Sequence, residues 1–333
     1  MQNEFKNKNK QIGILITNLG TPDSPTSKDL KKYLNEFLMD KRVVDLPRIF
    51  WVPLLKLIIL NVRPKRSAKL YKAIWTNEGS PLLSISRSIV KELTTLLEKQ
   101  DPNFTIELGM RYGNPSIKNA LKIFKEKTIS KILVLPLYPQ AGSPTTTSTF
   151  DAINAHIKDQ SWVPNIRFIS GYHDDENYIN SLSVSIEKSF SKHGRPDKLI
   201  FSYHGMPERY LHEGDPYYCF CHKTTRLVAE RLSLDSEFYD MAFQSRFGYE
   251  KWLQPYIDDM IPKAADDGVR HLQIISPGFS VDCLETLEEI NIQYRELFLE
   301  QGGEKFEYIP CLNDGDDHIK MIQSIINNNI KGW

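Results

Sequence analysis

Leu199-Ile200-Phe201-Ser202-Tyr203-His204-Gly205-Met206-Pro207 is an apolar run that stops at a histidine. It is short and rich in β-branched and aromatic residues, and Gly205 and Pro207 break it immediately after His204. Such a run reads as a strand buried on both faces, as in a parallel sheet. Ligands of open α/β sheets bind beyond the carboxyl ends of the strands, so His204 stands where chemistry is expected.

Working outward, similar runs recur with amphipathic helical patterns between them. Strands are predicted over Ile12 to Asn18, Thr105 to Arg111, Lys131 to Leu137, Asn165 to Ser170, Glu237 to Phe243 and His271 to Ser276, with Lys198 to Tyr203 in the second half. Alternation of this kind points to parallel sheets covered by helices. The halves also echo each other. Met110-Arg111-Tyr112-Gly113, a helix and a strand ending Leu135-Pro136 are matched by Ser245-Arg246-Phe247-Gly248, a helix and a strand ending Ser276-Pro277. A chain of 333 residues suits one large or two medium domains. No Gly-rich phosphate loop follows any of these strands, which disfavours a nucleotide-using dehydrogenase or kinase.

A second stretch carries acids: Pro277-Gly278-Phe279-Ser280-Val281-Asp282-Cys283-Leu284-Glu285-Thr286-Leu287-Glu288-Glu289. If it opens an α-helix, Asp282, Glu285 and Glu289 share a face. Helix-dipole compensation accounts for acids in the first turn. It accounts less well for Glu289, which lies further in. A row of carboxylates can also pass protons or hydrated cations, and a histidine with a glutamate makes an N/O pair suited to Fe(II). For a lone histidine the bland reading is a hydrogen-bonded structural one. Here Gly214-Asp215-Pro216-Tyr217 follows closely and favours function.

The 42 basic and 42 acidic residues balance, so electrostatics give no reason to expect nucleic acid. Four cysteines, Cys219, Cys221, Cys283 and Cys311, are too few and scattered for a secreted disulfide framework. The polar stretch Met1 to Gln11 has no apolar core of a signal peptide, and a cytoplasmic protein is expected. Residues 49–62, Ile49-Phe50-Trp51-Val52-Pro53-Leu54-Leu55-Lys56-Leu57-Ile58-Ile59-Leu60-Asn61-Val62, form the most apolar stretch. These 14 residues fall short of the roughly 20 that span a bilayer. They read as a core helix or as a greasy lip, with Arg63, Lys65, Arg66 and Lys69 suited to a headgroup or a carboxylate-bearing ligand.

Taken together, the segment 199–207, Gly214-Asp215-Pro216-Tyr217, Asn18-Leu19-Gly20-Thr21-Pro22, Met110-Arg111-Tyr112, Leu137-Tyr138-Pro139-Gln140 and Asp282 to Leu287 closely resemble the ferrochelatases, in family order and over nearly the whole chain. The resemblance is to the bacterial type. It implies an α/β chelatase-like fold of two Rossmann-like lobes with four-stranded parallel sheets and a ligand cleft between them. The first lobe would cover 11–165, with the lip at 49–62. The second would cover 166–330, carrying His204 and the acidic helix, with the final helix packing across both.

The resemblance further implies insertion of ferrous iron into protoporphyrin IX, giving protohaem and two protons. His204 would be the proton acceptor or iron ligand and Glu285 its partner, while Asp282 and Glu289 would line a proton and metal path. Leu19, Arg111, Tyr112, Tyr138 and Pro277 would border the porphyrin. Iron is then a substrate, and no cofactor is expected. A [2Fe–2S] cluster, which some members hold on four cysteines, is not expected, because no Cys-rich C-terminal extension is present. A monomer in the cytoplasm, with peripheral contact at the inner membrane face through 49–62, completes the reading. The alternatives are a coproporphyrin III or cobalt chelatase, and a non-catalytic tetrapyrrole carrier needing the apolar walls but not His204 with Glu285.

Overall fold

Strand β1 (Ile12–Thr21) is the hub of the first sheet, and its centre, Ile14, Leu15 and Ile16, is wholly buried. It pairs in parallel with β2 (Phe104–Gly113) on one side and β3 (Lys131–Pro136) on the other, and β4 (Asn165–Phe168) extends β3. The order is β2-β1-β3-β4. The second sheet repeats the scheme as β6-β5-β7-β8, from β5 (Lys198–His204), β6 (Tyr239–Gln244), β7 (His271–Ile275) and β8 (Lys305–Ile309). All pairings are parallel. The echo between the halves is thus a repeated topology: β6 takes the place of β2, and β7 that of β3. The computed structural model describes residues 11–248 and 250–333, so the reading of Met1 to Gln11 falls almost wholly outside the described residues.

Two compact units result. One contains residues up to Leu137, Ser143–Gly171 and Asp314–Trp333; the other contains Tyr138–Gly142 and Tyr172–Asn313. The chain passes between the units at Leu137, Gly142, Gly171 and Asn313. The final helix, Asp316–Asn329, belongs to the first unit, where it packs on the helix Pro81–Gln100 and on β3. Its buried Ile319, Ile322 and Ile326 make an apolar stripe at helical spacing, and that stripe selects this neighbour. Each unit has its own core. In the first, Leu15, Phe124, Ile132 and Val134 cluster; in the second, Ile200, Ile274, Ile290 and Phe298 do.

Two local differences matter for the site. Strand β6 ends at Gln244, so Ser245 and Arg246 lie in the following loop, with Ser245 in a left-handed conformation (φ 65°). The acidic helix is not a regular α-helix from Asp282. It begins at Leu284 and runs as a π-helix over Glu285–Tyr294 before regular winding resumes over Arg295–Glu300.

Residues 49–62 are helical too: Arg48–Leu54, a π-helical turn at Leu55–Ile59, then Leu60–Ile74. Trp51, Leu55 and Leu60 face inward. The opposite side is apolar but exposed: Ile49 is 77% accessible, Phe50 74% and Leu57 73%. The stretch is thus a core helix on one face and a greasy surface on the other. No helix among the described residues is long and apolar enough to cross a membrane.

Candidate functional site

In the second unit, β5 delivers His204 half-buried at its carboxyl end. The imidazole Nδ1 lies 2.7 Å from the Gly205 carbonyl oxygen. A carbonyl can only accept, so Nδ1 carries a hydrogen, and Nε2 is the ring atom that can offer a lone pair. The loop itself is tightly held. The Gly205 N–H donates to the Gln244 carbonyl at 2.8 Å, and the Tyr217 hydroxyl donates to the His204 carbonyl at 3.0 Å. Tyr217 comes from the Gly-Asp-Pro-Tyr motif, whose Asp215 accepts the Tyr217 N–H at 2.9 Å. Burial, reinforced by Cys221, pushes the Tyr217 phenol well above its usual range, so it stays a neutral donor. At Gly205 a side chain would meet the Gln244 carbonyl oxygen at 2.8 Å and the Trp252 ring at 3.0 Å. Glycine is required there by close approach.

In the π-helix, bonding from i to i+5 replaces i to i+4. Glu289 and Tyr294, five residues apart, consequently meet, and the helix is tied to the end of β6. Gln244 Nε2 donates to the Glu285 carbonyl at 2.9 Å and to Glu289 Oε2 at 3.1 Å. Ser245 Oγ donates to Glu289 Oε2 at 2.5 Å, and the Tyr294 hydroxyl to Glu289 Oε1 at 2.9 Å. Glu289 is therefore a carboxylate with three donors on it. Glu288, overlooked in the sequence, is buried and accepts from Gln293 Nε2 at 2.6 Å. Burial, then repulsion from Glu289, Glu296 and Glu285, raises its carboxyl above the ordinary range.

Asp282 precedes the helix and does not share its face. One carboxylate oxygen accepts from the Tyr308 hydroxyl at 2.6 Å and Thr286 Oγ1 at 3.0 Å; the other accepts from Asn313 Nδ2 at 2.7 Å. It ties the helix start to the end of β8. Pro277 is buried, and its carbonyl accepts from the Tyr178 hydroxyl at 2.5 Å. Tyr138 is buried within the same unit.

In the first unit, Leu19, Arg111 and Tyr112 lie at the carboxyl ends of β1 and β2. Arg111 is ion-paired with Asp40 and is not a loose cation: its Nη2 donates to Asp40 Oδ2, and its Nε donates to Ser148 Oγ at 2.6 Å. Tyr112 and Ser148 also donate to Asp40 Oδ2, at 2.8 and 2.6 Å. Burial alone would raise the Asp40 carboxyl. Hydrogen bonds from Ser148, the Arg42 N–H and Tyr112, with the charge of Arg111, outweigh it and hold the carboxyl below its usual value. Asp40 follows the helix Ser27–Leu38, and only its acid type could have signalled it in the sequence.

Cys221, Cys283 and Cys311 are buried, and burial pushes each thiol well above the ordinary range; Cys219 is exposed. Among the described residues no three His, Cys, Asp or Glu side chains are grouped to hold a metal ion.

Comparison with known proteins agrees with this architecture. Two solved structures of SirB share the fold. SirB from Bacillus subtilis with Fe3+ has a TM-score of 0.55 at 9% identity, covering 96% of each chain. The sirohydrochlorin chelatase SirB from Bacillus subtilis subspecies spizizenii, in complex with cobalt, has a TM-score of 0.52 at 8% identity, covering 96% of this chain and 94% of that one. In sequence, the chain is 49% identical over 324 residues to the ferrochelatase of Pseudoalteromonas atlantica, covering 97% of this chain and 90% of the relative. It is 50% identical over 316 residues to ferrochelatase 2 of Shewanella oneidensis, covering 95% and 97%. The ferrochelatase family profile matches residues 11–330. Nearly every residue thus falls within one family's pattern, and the chain belongs to the ferrochelatases.

Proposed function

We propose that His204 and Glu285 carry the chemistry of this ferrochelatase, whose reaction inserts ferrous iron into a porphyrin to make haem. The observation that supports His204 most directly is the hydrogen bond its ring makes. Its Nδ1 is engaged by the Gly205 carbonyl, so Nε2 is the atom left to accept a proton. Two N–H protons must leave the macrocycle as four nitrogens bond to iron, and the iron stays ferrous. His204 Nε2 takes pyrrole protons, or ligates the ion, and Glu285 is its partner in metal and proton handling. Glu289, held by three donors, continues the acidic line as a fixed carboxylate, whereas Asp282, held by Tyr308, Thr286 and Asn313, serves as a tether beside it.

Leu19, Tyr138 and Pro277 offer apolar contact to the ring, and Arg111 with Tyr112 a polar border. Protoporphyrin IX is the substrate in this reading. The protein works as a monomer in the cytoplasm and touches the inner membrane face through 49–62, where exposed Ile49, Phe50 and Leu57 precede exposed Lys65, Arg66 and Lys69.

Anaerobic incubation with Fe(II) and protoporphyrin IX, followed by loss of free-base absorbance, tests the assignment. Wild type makes haem and His204→Ala falls by at least about 100-fold, as expected for loss of a positioned base. Equal rates would remove His204 from the mechanism. Faster turnover of coproporphyrin III would replace the substrate.

A further inference from the structure

We propose that Gln244 is a positioning residue, which holds the strand end bearing His204 and the π-helix bearing Glu285 in a single register. The inference rests on those two residues carrying the chemistry. Gln244 stands opposite His204 in the β5–β6 ladder and is 1% exposed. Its backbone carbonyl and both polar atoms of its side chain serve this joint. The backbone carbonyl accepts from Gly205 N at 2.8 Å, next to His204. The side-chain Oε1 accepts from Ser202 Oγ, two residues before His204, at 2.7 Å. Nε2 spends both hydrogens on the π-helix, at the Glu285 carbonyl and Glu289 Oε2.

The amide orientation follows from its partners. A carbonyl and a carboxylate can only accept, so the NH2 must face them. A flipped amide would set oxygen against two oxygens. Glu289 then acts as the anchor. Gln244, Ser245 and Tyr294 converge on it, and Ser245 adopts its left-handed backbone (φ 65°) at the residue that reaches Glu289. A non-glycine residue is held in that region only when its surroundings over-determine it. The joint spans two strands and one helix.

A buried glutamine can also be a packing element and nothing more. The chain supplies a matched control. Gln273, on β7, is 0% exposed; it accepts from Ser189 Oγ at 2.8 Å and donates to the Gly194 carbonyl at 3.0 Å. Gln273→Met removes a comparable buried amide from the same sheet without touching His204, Glu285 or Glu289.

The experiment compares wild type, Gln244→Met, Gln244→Glu, Gln273→Met and His204→Ala. It measures kcat and KM for Fe(II), porphyrin affinity by fluorescence, and thermal midpoint. Gln244→Met lowers kcat by about 100-fold, the scale of an ångström of misplacement, while porphyrin affinity holds. Gln273→Met loses a similar amount of thermal stability and keeps its kcat. Gln244→Glu keeps the shape but sets a carboxylate oxygen where the amide donated to the Glu285 carbonyl and to Glu289, so its kcat falls as that of Gln244→Met does. If Gln244→Met matches Gln273→Met in kcat, or Gln244→Glu keeps the wild-type kcat, Gln244 is structural only. Should Gln244→Met fail to fold, the kcat of Gln244→Glu decides. Full activity of His204→Ala would instead overturn the underlying pair, whichever way Gln244 behaves.

Discussion

His204 and Asp40 show how much a side chain's partners decide. The histidine was picked out by a strand end and a glycine, yet its usable atom is set by the Gly205 carbonyl, a contact with its own neighbour. Asp40 carries no motif, yet it gathers Arg111, Tyr112 and Ser148. The Arg111 and Asp40 side chains are 17% and 8% exposed, so removing one strands the other's charge. Asp40→Ala is expected to cost about 3 kcal/mol, read from the urea unfolding midpoint. The pH dependence has a definite sign. The folded carboxyl is held below its ordinary 3.8, so the unfolded chain takes up a proton first. The stabilisation is complete above that ordinary value and is lost as pH falls through the lower folded one. Wild type should therefore lose stability more steeply than Asp40→Ala in that acid range, and parallel curves would deny the carboxylate this role.

At the scale of the element, the π-helix changes what the acids are for. An α-helical period places Asp282, Glu285 and Glu289 on one face. In the fold, Asp282 lies before the helix and is spent on Tyr308, Thr286 and Asn313. It behaves as a bolt between the helix start and the end of β8. Asp282→Ala leaves several buried donors without an acceptor, and a loss of about 3 kcal/mol in urea unfolding is expected. If Asp282 serves only as this tether, the folded protein retains kcat within about threefold. A collapse of kcat with unaltered unfolding would return Asp282 to the proton and metal path. The same lesson holds at β6: the matching of Ser245-Arg246 with Met110-Arg111 located the equivalent strand, but the strand stops one residue before Ser245, which leaves it free to turn back onto Glu289.

For the molecule as a whole, the exposed apolar face of 49–62 is the feature that needs a partner. Surface patches of this kind mark binding surfaces in otherwise polar exteriors. Leu57→Glu combined with Phe50→Glu alters only exposed positions, so stability should shift by no more than about 1 kcal/mol. Wild type is expected to co-sediment with vesicles containing anionic lipid and the double variant to stay in the supernatant. Equal sedimentation would separate the patch from membranes. The division into units belongs to this scale too. A linear reading places the last helix in the second half, but its Ile319, Ile322 and Ile326 find their cover in the first unit.

The order of strands and helices, the repeat between halves, the family and the strand-end position of His204 were legible in the sequence, because burial on both faces leaves continuous apolar runs and because Gly and Pro punctuate them. Periodicity could not reveal the π-helix, since one inserted residue per turn leaves composition unchanged while moving every later side chain around the axis. Nor could it show that Arg111 is neutralised by Asp40, that Glu289 is clamped by Gln244, Ser245 and Tyr294, or that Asp282 is held by Tyr308, Thr286 and Asn313. These depend on which partners the chain brings within hydrogen-bonding distance from tens of residues away, and only the folded arrangement of strands and loops decides that.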